Sequence, residues 1–170
     1  MAHLVCSSGI TSDSWRLHKT PEALAAALSE EPTTGVLIPL PLWLASRDTL
    51  TRKAGVGVWL EASDDLKDLV PDLPRLELIA VNFPRFNDGR GYSIARLLRG
   101  RHGYKGELRA VGDILLDQLF YLMRVGFDAY ALRDDQDPLA AGAALRAFSA
   151  SYQAGADQPL PLFRQRQALS

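Results

Sequence analysis

The stretch LELIAVNFPRFNDGRGYSIARLLRGRHGYKGELRAVGD, Leu76 to Asp113, decides the fold. Leu76 to Phe83 is apolar at both of its alternating sets of positions, the pattern of a strand buried on both faces, as parallel sheets require. A polar loop follows. From Tyr92 to Arg101, Ile94, Leu97 and Leu98 fall at i, i+3 and i+4 while Arg96, Arg99 and Arg101 point elsewhere, which predicts an amphipathic helix. Gly103 ends it. Glu107 to Gly112 then reads as a second strand, so the whole stretch is a β-α-β unit. Working outward, Gly35 to Pro39, Val56 to Leu60 and Phe127 to Leu132 add strands. Thr20-Pro21-Glu22 opens a helix to about Ser29. Further helical pieces are expected near residues 42–52, 64–70, 114–125 and 138–148. The alternation predicts one α/β domain over residues 1–170, with about five mainly parallel strands in an open sheet or a partial βα barrel. Residues 1–18 read as an N-terminal extension. Residues 151–170 read as a tail that docks Leu160, Leu162 and Phe163.

The 170 residues carry 19 basic and 20 acidic side chains, so no overall field draws nucleic acid or membrane. The longest apolar run, Gly35 to Ala45, is interrupted by Pro39 and Pro41 and falls short of the roughly 20 residues of a membrane helix. With no charged leader at the N-terminus, a cytoplasmic protein is expected. Cys6 stands alone, and His3, His18 and His102 are scattered, which gives no spacing for a metal site. Ile114 to Val125 is apolar on two stripes, which predicts burial or cover by another chain.

Chemistry in parallel α/β folds gathers where strands end. Those points hold Glu61, Asn82, Arg85, Asp88, Arg90, Asp113, Arg133 and Asp134. Asn87-Asp88-Gly89-Arg90-Gly91 combines a freely bending backbone, unpaired first-turn amides and flanking arginines, a recipe for holding an anion. Arg85, Asp88, Gly89, Arg90, Gly91 and Arg133 are therefore the candidates for anion binding or docking. Asp88 and Asp113 are candidates for proton handling, although each also stands where acids cap helices. Arg90 reads equally as an anion ligand or a solvated arginine. The dinucleotide fingerprint fails, because Ile94 replaces its third glycine, and no phosphate-loop lysine or nucleophile turn occurs. No cofactor is implied. Arg99, Arg101, His102 and Lys105 make a basic helix end, which reads either as charge against the helix dipole or as a docking patch.

At Phe83 to Asp113, at Asp117-Gln118 and at Arg124 to Tyr130 the sequence resembles a bacterial, mostly proteobacterial, family of unknown function. Weaker similarity extends to Trp15, to VLIPLPLWLA and to Tyr152-Gln153 and PLPLFR. Genes of that family sit beside those for assimilatory sulfate reduction, next to the sulfite reductase haemoprotein, and its members are often labelled oxidoreductases involved in sulfite reduction. The resemblance implies an accessory protein that docks with the haemoprotein. The alternative is an enzyme acting on a small sulfite- or phosphate-like anion at residues 85–91. Relatives frequently carry cysteine where this chain has Val125, which disfavours a thiol mechanism here. An open sheet or partial barrel leaves edges uncovered, so a homo-oligomer is expected.

Overall fold

A computed structural model describes residues 4–6, 8–29, 34–50, 55–148 and 151–164. Its centre is the anticipated β-α-β unit. β6 (Leu78–Phe83) and β7 (Glu107–Gly112) lie side by side and parallel, with Leu78 opposite Glu107 and Phe83 opposite Gly112. On one side of them come β5 (Val56–Leu60), β4 (Gly35–Pro39) and β3 (Trp15–Leu17), and on the other β8 (Ala129–Ala131), all parallel. β1 (Leu4–Cys6) joins β8 antiparallel and pairs with β2 (Gly9–Thr11).

The result is one curled, open sheet of eight strands in the order β2-β1-β8-β7-β6-β5-β4-β3. The five strands expected from sequence are present. β1, β2 and β3 correct the count, and they occupy the segment read as an N-terminal extension. Each has three residues, too short to show a period of two.

Because β3 to β8 follow one another in sequence order, right-handed crossovers carry every connecting helix to the same face. That face bears α1 (Pro21–Ser29), α2 (Leu40–Leu50), α3 (Arg90–Arg96), α4 (Leu119–Val125) and α5 (Ala141–Leu145). α3 continues as a π-helical turn over Leu97–Arg101. Val36, Ile38, Val58, Leu60, Ile79, Val81, Phe83, Leu108 and Ala110 project into the main core beneath the helices. The alternate residues Leu37, Leu78, Ala80 and Val111 form a second apolar cluster on the inner face, with Trp15 and Trp59 packed on it. Trp15 lies so close over β4 that a Cβ on Gly35 would come within 2.4 Å of its indole. Side chains thus fill the curl.

Three arginines lock the elements together. Arg99 of the π-turn donates to the carbonyls of Tyr104 (2.7 Å), Gly106 (2.9 Å) and Gly126 (2.9 Å) and to the Asp128 carboxylate. Arg109 on the inner face, 2% exposed, pairs with Asp13 (2.7 Å) and Glu107 (2.8 Å), tying β7 to the segment before β3. Arg124 in α4 is buried under the C-terminal segment and reaches Asp157 (2.6 Å) and the Gln153 carbonyl. Buried guanidinium groups persist only when their donors are taken, and here they are.

The tail therefore docks through Arg124. Of the three side chains expected to dock it, Leu162 is half-buried, while Leu160 and Phe163 are 49% and 50% exposed. The apolar stretch before residue 125 is shorter as a helix than expected. A 3₁₀ turn over Leu116–Gln118 precedes α4, which buries Leu119, Leu122 and Val125 and leaves Tyr121 exposed.

Candidate functional site

The carboxyl ends of β6, β7 and β8 gather most of the residues singled out from sequence. β6 ends on Phe83, which is buried and meets Tyr92 edge-on at 5.2 Å between ring centres. The chain then turns over Pro84 to Gly89, with the Asp88 amide donating to the Arg85 carbonyl (3.0 Å). Phe86 stands at the tip of the turn, 53% exposed. Its main chain is held from two sides. Its N–H donates to Asp113 Oδ2 (2.9 Å), and its carbonyl accepts from Gln118 Nε2 (2.8 Å). Gln118 is itself fixed, since its Oε1 accepts from the Leu115 amide (2.8 Å) and its Nε2 also meets the Tyr92 hydroxyl (3.0 Å).

Asp113 does not cap the following helix. Its second oxygen accepts from Arg133 Nη1 (2.8 Å), and Arg133 also pairs with Asp135 (2.6 Å). Arg133 is raised further above its ordinary basicity by its bonds to Asp135 and Asp113, and Asp135 is lowered to about 2 by Arg133. Asp113 consequently joins the loop after β6 to the loop after β8.

At the helix entry, Asp88 Oδ1 accepts from the Arg90 amide (3.1 Å) and Nε (3.0 Å), and Oδ2 accepts from Arg90 Nη2 (2.6 Å). The Arg90 side chain and main chain together hold Asp88 at about 2. The carboxylate of Asp88 thus meets the first amide of the helix, where negative charge is favoured.

The two glycines differ. Gly89 has an ordinary right-handed backbone and nothing within 4 Å of where a Cβ would sit. Gly91 is buried against Phe83, where a Cβ would lie 2.4 Å from the ring. Its smallness serves packing.

Arg85 makes no ion pair or side-chain hydrogen bond with the described residues. Around it, Arg90 and Arg133 face Asp88, Asp113 and Asp135, so their charges are locally balanced.

One group lies further along the same edge, beside β5. Glu61, after β5, accepts from the Trp59 indole N–H (2.7 Å) and the Asn82 amide (2.7 Å). Gly112, at φ +97°, passes beside them; a Cβ there would meet the Phe83 carbonyl at 2.4 Å and Asn82 Oδ1 at 2.5 Å. Asp134 has no bond to the rest of the cluster among the described residues.

Sequence reasoning named Asp113 and Arg133 but not the clamp that unites them. Gln118 entered only through the Asp117-Gln118 part of the resemblance, and its reach back to Phe86 spans 32 residues. No local signal marks such a contact. Among the described residues, no group of three or more His, Cys, Asp or Glu is arranged to hold a metal ion. None of their helices is long and apolar enough to cross a membrane.

Residues 57–163 match the family model described as "Bacterial protein of unknown function (DUF934)". The match spans more than half of the chain and includes the whole clamp. The chain belongs to this family. No curated protein and no solved structure matches it.

Proposed function

We propose that this member of the family is an accessory protein of assimilatory sulfite reduction that docks on the sulfite reductase haemoprotein through the loop between β6 and α3. The observation that carries the docking reading is Phe86. An aromatic ring 53% exposed to water is anchored by a main chain whose N–H and C=O are both fixed by side chains from other elements. A preordered aromatic loses little conformational freedom on association, which is how binding hot spots achieve their effect. Arg85 beside it carries a charge without a partner among the described residues, suited to a carboxylate on the opposing surface. The pathway and the haemoprotein come from the family resemblance alone.

The alternative, an enzyme using Asp88 or Asp113 on a small anion, has weaker support. Asp88 at about 2 stays ionised at neutral pH and is a poor proton acceptor there. The Asp113 oxygens already face fixed donors. Self-association is part of the same proposal, because β2 and β3 end the sheet without a further strand among the described residues.

The test is capture of the purified haemoprotein by immobilised wild type, Phe86→Ala and Arg85→Ala proteins, with circular dichroism to confirm folding. Wild type should retain the haemoprotein, Phe86→Ala should weaken retention by about tenfold or more, and Arg85→Ala should make it less sensitive to salt. Equal capture by wild type and Phe86→Ala, or none by wild type, refutes the proposal.

A further inference from the structure

At the opposite edge of the sheet, before the amino ends of β7 and β8, lies a cleft of about 780 Å³. Its floor is apolar, built from Met123, Phe127 and Leu145. Its roof is the C-terminal segment Ala154 to Asp157, fastened to α4 by Arg124 and by the Ala156 amide donating to the Arg124 carbonyl (2.8 Å). Gly155 packs against that fastening. A Cβ there would stand 2.6 Å from the Arg124 guanidinium carbon and 2.5 Å from Asp157 Oδ1.

The charges in the cleft do not cancel. Its two lining acids are occupied, Asp128 by Arg99 and the Leu108 amide (2.9 Å), and Asp157 by Arg124 (2.6 Å). Arg99 is in turn consumed by three carbonyls and Asp128. Arg96, Lys105 and Arg146 also line the cleft, and none has an ion pair among the described residues. They come from three separate segments: α3, the turn before β7 and the end of α5. Three uncompensated cations therefore rim an apolar floor in a space within the roughly 300–1,000 Å³ of small-molecule sites.

We infer that this cleft binds a small organic anion, with a phosphate, sulfonate or carboxylate group against Arg96, Lys105 and Arg146 and an apolar or aromatic body on the Met123, Phe127 and Leu145 floor. An inorganic anion would leave that floor wet, and a neutral apolar molecule would leave the rim unused. Both parts of the ligand are needed.

The probe is 8-anilino-1-naphthalenesulfonate, titrated into the folded full-length protein and followed by fluorescence. Saturable binding is expected. The triple variant Arg96→Gln/Lys105→Gln/Arg146→Gln alters only exposed side chains, so it should keep the wild-type circular dichroism and melting cooperativity while binding about tenfold or more weakly. Adenosine monophosphate and decanoate, added as competitors, distinguish a phosphate-bearing from a carboxylate-bearing ligand. Sodium sulfate at matched ionic strength should not compete. Absence of saturable binding, unchanged affinity in the triple variant, equal affinity for uncharged anilinonaphthalene, or displacement by neither organic competitor would each overturn the inference.

Discussion

Gly91→Ala should destabilise the protein although alanine is the better helix former. Gly91 lies inside α3, where the exchange alone would stabilise by about 1 kcal/mol. Against this, the new methyl would sit 2.4 to 2.8 Å from three atoms of the Phe83 ring, about 1 Å inside ordinary carbon contact. Phe83 cannot swing away. It is 1% exposed and packed against Tyr92 and Phe127 at 5.2 and 5.8 Å between ring centres. Overpacking of this kind costs roughly 1–3 kcal/mol, and disturbing the ring pairs adds about 0.5–1.5. The net loss is therefore about 1–3 kcal/mol, a fall of roughly 1 M in the urea midpoint for a slope near 2 kcal/mol per M. Gly89→Ala, whose Cβ meets nothing within 4 Å, should cost no more than about 1 kcal/mol, the preference of a helix N-cap for glycine over alanine. The pair Gly91→Ala/Phe83→Leu adds a second check, since the smaller side chain relieves the collision. The double variant should lose less than the sum of the singles. A Gly91→Ala protein as stable as wild type, or strict additivity in that cycle, would refute the packing role assigned to Gly91.

Carbon-13 NMR of the carboxyl groups should show Asp88 titrating near 2, against an ordinary 3.8, and Arg90→Gln should return it toward the ordinary value; an unshifted Asp88 in wild type would be the contrary result. Because the folded value is the lower one, stabilisation by this pair is complete above 3.8 and disappears as pH falls through about 2. Asp72→Ala should cost about 1–3 kcal/mol in urea denaturation, because the buried Trp43 indole now donates to Asp72 Oδ2 (2.9 Å) and would lose its acceptor. Asp72→Asn keeps an acceptor and should cost less; an equal loss in both would refute the hydrogen-bond account. Finally, β6 has six residues, so its two ends stand about 20 Å apart, far enough for independent behaviour. Phe86→Ala should bind the naphthalenesulfonate as wild type does, and the triple rim variant should capture the haemoprotein normally. Loss of capture in the rim variant would mean that cleft and loop form one surface.

The parallel strands were legible because burial on two faces leaves a dense apolar signature, as in Leu78 to Phe83. β1 was not, because its three residues acquire a role only by pairing with β8 across the chain, Leu4 opposite Ala131. The same distinction governs the site. Asp88 and Arg90 are two residues apart, and their proximity was readable; the sequence offered Asp88 as a helix cap or a proton handler and Arg90 as an anion ligand or a solvated arginine, and no local signal paired the two side chains. Asp113 resembled a helix cap because it stands where a cap would. Its real partners, Phe86 and Arg133, lie 27 and 20 residues away. Gly89-Arg90-Gly91 suggested two glycines with one purpose. Only the position of the Phe83 ring separates a tolerant Gly89 from an obligatory Gly91.

Arginine makes the same point about charge. In the run Leu97-Leu98-Arg99-Gly100-Arg101 nothing local tells Arg99 from its neighbours, and the segment read as one basic edge. Arg99 is turned inward, onto three carbonyls and a carboxylate, and Arg109 and Arg124 are buried and paired as well. Desolvating a guanidinium is tolerable only with that much compensation, so these arginines consume acids that would otherwise neutralise the surface. Asp128 and Asp157 are spent in this way, which leaves Arg96, Lys105 and Arg146 around the cleft without an ion pair among the described residues. A chain with 19 basic and 20 acidic residues can thus present positive charge locally, because part of its acid content is committed to holding the fold together.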